Sequence, residues 1–436
     1  MLSYYQEVGI GNMARKSKEL TDILELFNED EFLDEEELEL MNIDAKFIYK
    51  LNENASYIVD ERNLGYVLHS VESIILSVIF AIIANCNTFV QIYLFMQKHF
   101  EWLDKHIKFD NGLPSLSTIK RVIAFINPKE LETICLDSLR DFLKNNEPIY
   151  RNQYFIIEDI KSMDGKIANS SDRISSKDGK VAKTNAMSLY SIKNDCCEAT
   201  EFIEEKTNEI PTGPELLKRV NIKNCIMVFD ALNTQKQTIE YIVENEGYYV
   251  APVKGNQGSL EENIKLYFED EKLFNIAKEK SYYFVKEKSH GTVEKREYIF
   301  TDDIEWLYKK NEWKDLKSIG VAIRTYQDKN GKTITDRRYY ITNLHFEKIE
   351  LISKAIRCEW GIENKLHWYL DTVFLEDDNK CFLENSQKNL NIIRKFCLSI
   401  LKIFKNQTKL GMNSIRFNIS MDFEHEIEKI INSLYK

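Results

Sequence analysis

No two of the eight cysteines in this 436-residue chain are spaced C-x-x-C, and the adjacent pair Cys196-Cys197 is poorly suited to sharing a zinc ion. The thiols therefore read as reduced. Long apolar runs are missing as well: the longest, Ile74 to Ala84, is broken by Ser77 and is too short to span a bilayer. Met1-Leu2-Ser3-Tyr4-Tyr5 does not begin a basic-then-apolar leader. Together these absences predict a cytoplasmic protein with no membrane association. No repeat period runs through the sequence, which leaves no basis for a helical-repeat scaffold. An excess of positive charge is lacking too, since 59 Lys and Arg face 70 Asp and Glu for a net of -11. That balance ordinarily argues against nucleic acid, but the deficit is local. Residues 1–62 hold 16 acidic and 6 basic side chains, so the remaining 374 residues carry a net of only -1. Basic stripes on a near-neutral body remain compatible with DNA.

What is present is a globular composition, 43% apolar and 12% aromatic, enough for one large core or two to three smaller ones. Four regions follow in order. Residues 1–62 form an acidic arm, either a solvated helical face or a partner-binding segment. Residues 63–150 have helical periodicity throughout. Within them Ser and Thr at 115–118 offer an N-cap, and Lys120 and Arg121 lie opposite an apolar stripe. That pattern fits a capped structural helix or the recognition helix of a helix-turn-helix. Residues 145–153 read as a linker, 151–405 as an α/β domain, and 406–436 as a helical tail.

Inside the α/β region two strands end in aspartate. Tyr154 to Ile160 leads into Met163-Asp164-Gly165-Lys166, where a glycine turn admits a metal or phosphate beside Asp164. The continuously apolar strand Cys225 to Phe229 delivers Asp230. A third strand, Tyr248 to Val253, closes on a turn presenting Lys254, Asn256 and Gln257 for phosphate contacts. Residues 167–185 are small, polar and basic and read as a mobile loop unless an anion such as DNA orders them. Residues 281–343 form a β-rich insertion carrying His290, Glu294, Arg296, Arg324, Arg337 and Arg338, a set suited either to a nucleic-acid backbone or to a solvated sheet face.

The stretch Arg357 to Asp371 then reads as helix. Trp360, Glu363, Leu366, His367 and Leu370 share one face, which puts a carboxylate and an imidazole among large apolar groups. Burying such an acid is costly unless something pairs with it, so Glu363 is either a satisfied structural acid or a ligand to a divalent metal. Three dispersed acids, Asp164, Asp230 and Glu363, are sufficient to hold two such ions for an in-line phosphoryl displacement.

Six blocks in order carry a family resemblance: Met163-Asp-Gly-Lys166, Glu205 to Pro211, Phe229-Asp-Ala-Leu-Asn-Thr-Gln235, Val253-Lys-Gly-Asn-Gln257, His290-Gly-x-x-Glu-x-Arg296, and Trp360 to Asp371. Together they resemble the ISAs-type, or H-repeat-associated, insertion-sequence transposases of the DDE superfamily. The resemblance runs from about residue 64 to about 405. It implies an α/β fold with an RNase H-like catalytic core and a β insertion, preceded by an all-helical N-terminal domain. It also implies Mg²⁺ or Mn²⁺ as cofactor, DNA as substrate and a homodimer on DNA. Carried over by position, Asp164, Asp230 and Glu363 resemble the catalytic, metal-binding triad. Lys166, Lys254, Asn256, Gln257, His290, Arg296, Lys365 and His367, with Lys120 and Arg121 of the helical domain, are the implied DNA contacts, and Asn364 flanks the metal site. Trp306 fits a packing role or a stacking one against a base. Two departures stand out. Ile167-Ala-Asn-Ser170 lacks the family's basic residue after Asp-Gly-Lys, and Glu359 stands where the family has histidine. The expected function is metal-dependent cleavage and strand transfer at insertion-sequence ends, with a catalytically impaired or domesticated DNA-binding derivative as the alternative.

Overall fold

The computed structural model describes residues 43–60, 62, 67–140, 142–143, 147–174, 181–203, 209–289, 292–327, 331–379, 381, 383 and 385–434. Most of the acidic arm, and His290 and Gly291, lie outside them. The chain divides into two compact units, 1–126 with 403–436, and 127–402.

The first unit is helical: α1 (Ile43–Ser56), α2 (Val71–Ile83), α3 (Phe89–Lys98), α4 (Phe100–Ile107) and α5 (Leu116–Phe125). Helix α2 is buried almost all round, as its unbroken run of Ile, Val, Leu and Phe requires, and Ser70 caps it by accepting from the Ser73 N–H. Ser115 caps α5 in the same way, leaving Ile119, Val122 and Ile123 inward and Arg121 exposed. From the C-terminal segment, Phe423 meets Phe80, Phe95 and Trp102 edge-on, and the wholly buried Arg416 donates to the Ile82 carbonyl.

The second unit begins with α6 (Pro128–Arg140) and the short pair β1 (Tyr150–Arg151) and β2 (Ile156–Ile157). Its body is one mixed sheet, a mixed α/β arrangement. In chain order come β3 (Asp159–Ile174), β4 (Val181–Ser191), β5 (Cys196–Ile203), α7 (Glu209–Leu217), β6 (Cys225–Phe229), α8 (Lys236–Glu244) and β7 (Tyr248–Val253). Two helices that sequence analysis passed over follow, α9 (Ser259–Glu269) and α10 (Glu271–Lys280). The remaining strands are β8 (Tyr282–Ser289), β9 (Thr292–Thr301), β10 (Ser318–Gln327) and β11 (Thr333–Thr342). The spatial order is β5-β4-β3-β6-β7-β11-β10-β9-β8, with β3, β6 and β7 parallel and every other pairing antiparallel. The four strands expected as an insertion thus extend the central sheet, because β11 pairs directly with β7 over Val250 to Val253.

Both faces are covered, which is why β6 is apolar at every position. On one face Met163, Leu189, Phe229 and Tyr249 pack under the α7–α10 helices. On the other, Ile160, Ile226, Val250 and Tyr340 meet Leu351, Ile352 and Ala355 of α11 (Ile349–Cys358). After α11 come α12 (Trp368–Thr372), α13 (Ser386–Lys405), α14 (Met412–Met421) and α15 (Phe423–Leu434).

The segment 167–185 differs from the loop expected of it. Strand β3 continues to Ile174 and β4 starts at Val181, with a register shift between Ala168 and Arg173. Backbone ladder bonds hold strand geometry there whatever the polarity of the side chains.

Candidate active site

The parallel register of β3 on β6 aligns Met163 with Phe229, so the next residues, Asp164 and Asp230, stand side by side where β6 ends and β3 runs on. Each carboxylate is already held. Asp164 Oδ1 accepts from the Gly165 N–H at 2.9 Å, and Asp230 Oδ1 accepts from both the backbone and side-chain N–H groups of Asn233 at 3.0 and 2.9 Å. Thr234 then donates to the Pro252 carbonyl, which ties the Asp230 segment to β7.

Glu363 arrives from the helical run after α11. Gly361 packs closely there, since a Cβ at that position would sit 2.9 Å from Ile192 Cδ1. Residues Glu363–His367 form a π turn, which differs from the regular helix expected, and Leu366, His367 and Leu370 face inward while Trp360 and Glu363 are exposed. A wider i→i+5 turn brings residues i and i+4 more nearly into line than an α-helix does, and such turns recur at functional sites. Here His367 Nδ1 lies 3.0 Å from Glu363 Oε2 and 3.6 Å from Asp164 Oδ2. The His367 side chain is 4% exposed and its Nε2 is buried with no hydrogen-bond partner among the described residues, while Glu363 remains 60% exposed.

Ligand atoms of Asp164, Glu363 and His367 lie within 4.8 Å of one another. Asp230 is not a member of that cluster, but its charge is felt by it. Burial pushes the Asp164 carboxyl up to about 6, with Asp230 and Glu363 adding to the effect and His367 opposing it. The His367 hydrogen bond holds Glu363 below the ordinary carboxylate range. Closely spaced carboxylates with an adjacent imidazole repel one another unless a cation sits among them, and oxygen with nitrogen is a donor set that divalent metals accept. The residues present therefore fit a divalent ion.

The family described as "Transposase DDE domain" matches residues 169–400, and the family described as "DDE_Tnp_1-associated" matches residues 54–138. The chain belongs to the H repeat-associated DDE transposases. The "H repeat-associated putative transposase YhhI" of Escherichia coli K12 is 33% identical over 363 residues, 82% of this chain and 92% of that protein, and YbfL of the same strain matches to the same extent. YncI of E. coli O157:H7, whose name also describes a transposase, is 29% identical over 388 residues, 88% of this chain and 95% of that one. Asp230 and Glu363 fall inside the DDE match and Asp164 lies just before it.

The other residues expected at the transposase site divide by their contacts. Lys166 is not presented to solvent: it is 11% exposed and its Nζ lies 2.6 Å from Asp371 and 3.6 Å from Asp377, with Glu376 at 3.8 Å. Its charge is matched inside the protein by these three acids. His367 is likewise buried toward the acids. The side-chain amides of exposed Asn256 and half-buried Gln257 donate to the Ala231 carbonyl at 2.7 and 2.9 Å, and Gln257 reaches the Thr234 carbonyl at 3.0 Å. They fasten the Asp230 segment. Lys254 is exposed beside them, Lys365 is half-exposed and paired with Asp195 at 3.0 Å, and Arg296 pairs with Glu294 at 2.9 Å. Asn364 donates to the Trp360 carbonyl. Trp306 stacks flat on Tyr267 and donates to the Asp303 carbonyl, the packing role.

Glu359 does not join the acid cluster. Its side chain, 15% exposed, turns toward β11, where the Tyr340 hydroxyl donates to Oε2 at 3.4 Å and Arg338 lies 3.8 Å from Oε1. Burial pushes this carboxyl up to about 7. Sequence reasoning assigned no role to Asn233, which holds Asp230, or to Asp371 and Asp377, which hold Lys166. The signal for Asn233 was its place three residues after Asp230, the spacing at which a capping carboxylate accepts a backbone N–H.

Proposed function

We propose that this transposase holds Mg²⁺ or Mn²⁺ on Asp164, Asp230 and Glu363, with His367 beside them, cuts a phosphodiester at an insertion-sequence end and joins the freed strand to target DNA at the same centre. The observation that carries this reading is the convergence of Asp164, Glu363 and His367, with Asp230 on the adjacent parallel strand, in a chain of this family. The strand order β5-β4-β3-β6-β7, an antiparallel meander extended by two parallel strands, supports an RNase H-like core.

Bound divalent ions supply charge to both the attacking and the leaving oxygen of an in-line displacement. The protein's own contribution is preorganisation. Gly165, Asn233 and His367 fix the three carboxylates before DNA arrives, so little rearrangement is needed as charge develops. In the first step a water oxygen bonds to phosphorus as the bond to the 3′ oxygen breaks, and the proton lost by water ends on that oxygen. In the second, the freed 3′-OH bonds to a target phosphorus as the bond to the target's own 3′ oxygen breaks, and the proton lost by the attacking hydroxyl ends on that displaced oxygen. Neither step uses a covalent protein intermediate. Bringing two ends together calls for a homodimer on DNA.

The test is strand cleavage on duplexes taken from the two flanks of the protein's own gene, with and without Mg²⁺ or Mn²⁺. Asp164→Asn, Asp230→Asn and Glu363→Gln are each expected to lower cleavage by on the order of 10³-fold while DNA binding persists. Wild-type protein that binds these ends without metal-dependent nicking, or any of the three variants cutting normally, overturns the reading.

A further inference from the structure

A second site lies beside the acid cluster on the same face of the sheet. It is a cleft of about 330 Å³ whose wall includes Asn364, the chain neighbour of Glu363. The register of the strands explains the hollow. Ala322 on β10 lies between Tyr298 on β9 and Arg338 on β11, so a methyl group stands where its neighbours carry long side chains. One row outward Arg324 faces Arg296, and Arg357 closes the cleft from the end of α11. Trp360 forms the remaining wall, 53% exposed, with the Arg338 guanidinium 5.4 Å from its ring centre.

Four arginines are crowded here among four carboxylates, Glu287, Glu294, Glu359 and Asp336, the last directly opposite Arg324 on β11. Glu294 is shared between Arg296 and Arg324, and Arg338 meets Glu359 only at 3.8 Å. Arg357 has a partner of its own in Glu287 at 2.8 Å. Burial and the nearby charge of Arg357 both disfavour the charged form of Arg296, and its Nε is buried with no hydrogen-bond partner among the described residues. The Arg296 and Arg324 forks face one another across β9 and β10 and both line the cleft. Arginine forks match phosphate oxygens, and an open indole face under a guanidinium takes a planar base. The cleft has both, within a volume suited to one nucleotide.

We propose that this cleft receives one unpaired nucleotide of the DNA strand next to the cut, its phosphate against Arg296 and Arg324 and its base on Trp360. The assignment rests on the transposase reading above and adds to it a site for strand ends that are not paired. It also gives the strands at 282–342 a function beyond extending the sheet.

The experiment uses the full chain without divalent metal, so that it reads binding and not cleavage. A duplex from the gene's flank carries 2-aminopurine as a single unpaired terminal nucleotide. A fully paired duplex and free 2-aminopurine deoxynucleoside monophosphate serve as the other arms. Wild-type protein is expected to bind the unpaired end about tenfold more tightly than the paired one and to quench the probe by stacking. Trp360→Ala removes both the quench and the preference while paired-duplex binding stays within about twofold. Arg324→Gln lowers the preference and keeps part of the quench. Equal affinity for both ends, or a quench that survives Trp360→Ala, overturns the proposal. Binding of the free monophosphate as tight as that of the strand end overturns it too, and marks a small-nucleotide site instead. If cleavage proceeds while these binding signatures are absent, the cleft assignment alone falls. If the signatures appear and no metal-dependent cleavage is found, the transposase reading falls.

Discussion

Lys166 Nζ lies 2.6 Å from Asp371 Oδ1, which joins the strand that carries Asp164 to the helix that follows Glu363. The two elements are thereby fastened at a point two residues beyond Asp164. Removing the cation leaves Asp371 and Asp377 facing each other beside buried Glu376. Lys166→Met is expected to destabilise the protein by about 3 kcal/mol, and Lys166→Arg to recover part of the loss, as read by urea unfolding. Unchanged stability in the Met variant refutes a clamping role.

The contact between His367 and Glu363 sets the second expectation. With the imidazole removed, Glu363 loses the hydrogen bond that orients it and the acid cluster loses a nitrogen donor. His367→Ala is expected to raise the Mg²⁺ concentration needed for half-maximal cleavage by about 10- to 100-fold, with DNA affinity unaltered. A metal titration matching wild type counts against this.

Gln257 offers a structural counterpart. Its side-chain amide donates to the Ala231 and Thr234 carbonyls while its oxygen accepts from the Lys254 N–H at 2.8 Å. Gln257→Ala is expected to cost about 1–2 kcal/mol, seen as a lower melting temperature, and to reduce cleavage by loosening the turn that presents Asp230. Asn256→Ala, which loses a single bond from an exposed side chain, has the smaller effect.

Glu359 supplies a pH dependence. Its carboxyl ionises at about 7 in the folded protein against a usual 4.5, so the native state binds the extra proton between those values. Stability from this group is therefore full at low pH and falls as pH rises through 7. Glu359→Gln keeps the neutral form at every pH. It is expected to match wild type near pH 4 and to exceed it by up to about 3 kcal/mol at pH 8 in urea unfolding. A constant difference across that range rules the cause out.

Strand ends were legible for one aspartate and not for the other: Asp164, expected at a strand end before a glycine turn, lies inside β3, which pairs on with β4 through Gly165 and Lys166 to Ile174. The continuously apolar Cys225 to Phe229 identified a central strand and hence Asp230, and observed β6 has those same limits. Two further things were not legible. Glu363 and His367 share a face at helical spacing, but that spacing predicts a regular helix and does not distinguish the π turn in which they meet. Helix α13 hid its burial by being polar. Lys395 and Lys402 are buried against β4 and β5, where Lys395 donates to Ser188 and Thr200 and Lys402 to Tyr190. Lysine there reads as solvent-facing until its partners are known. Helices α9 and α10 are a different case: Leu260, Ile264, Tyr267 and Phe268 carry a plain amphipathic pattern that was passed over.

The pairing of β11 with β7 makes residue count in that strand a functional quantity. Side chains alternate across a sheet, so deleting a single residue between Thr333 and Arg337 would turn Arg338 and Tyr340 to the opposite face wherever the pairing with β7 shifts to accommodate it. The cleft would lose a wall and Glu359 both its partners, although no residue near the acids had changed. Length in this strand is thus under a parity constraint, and tolerated insertions or deletions belong in its turns.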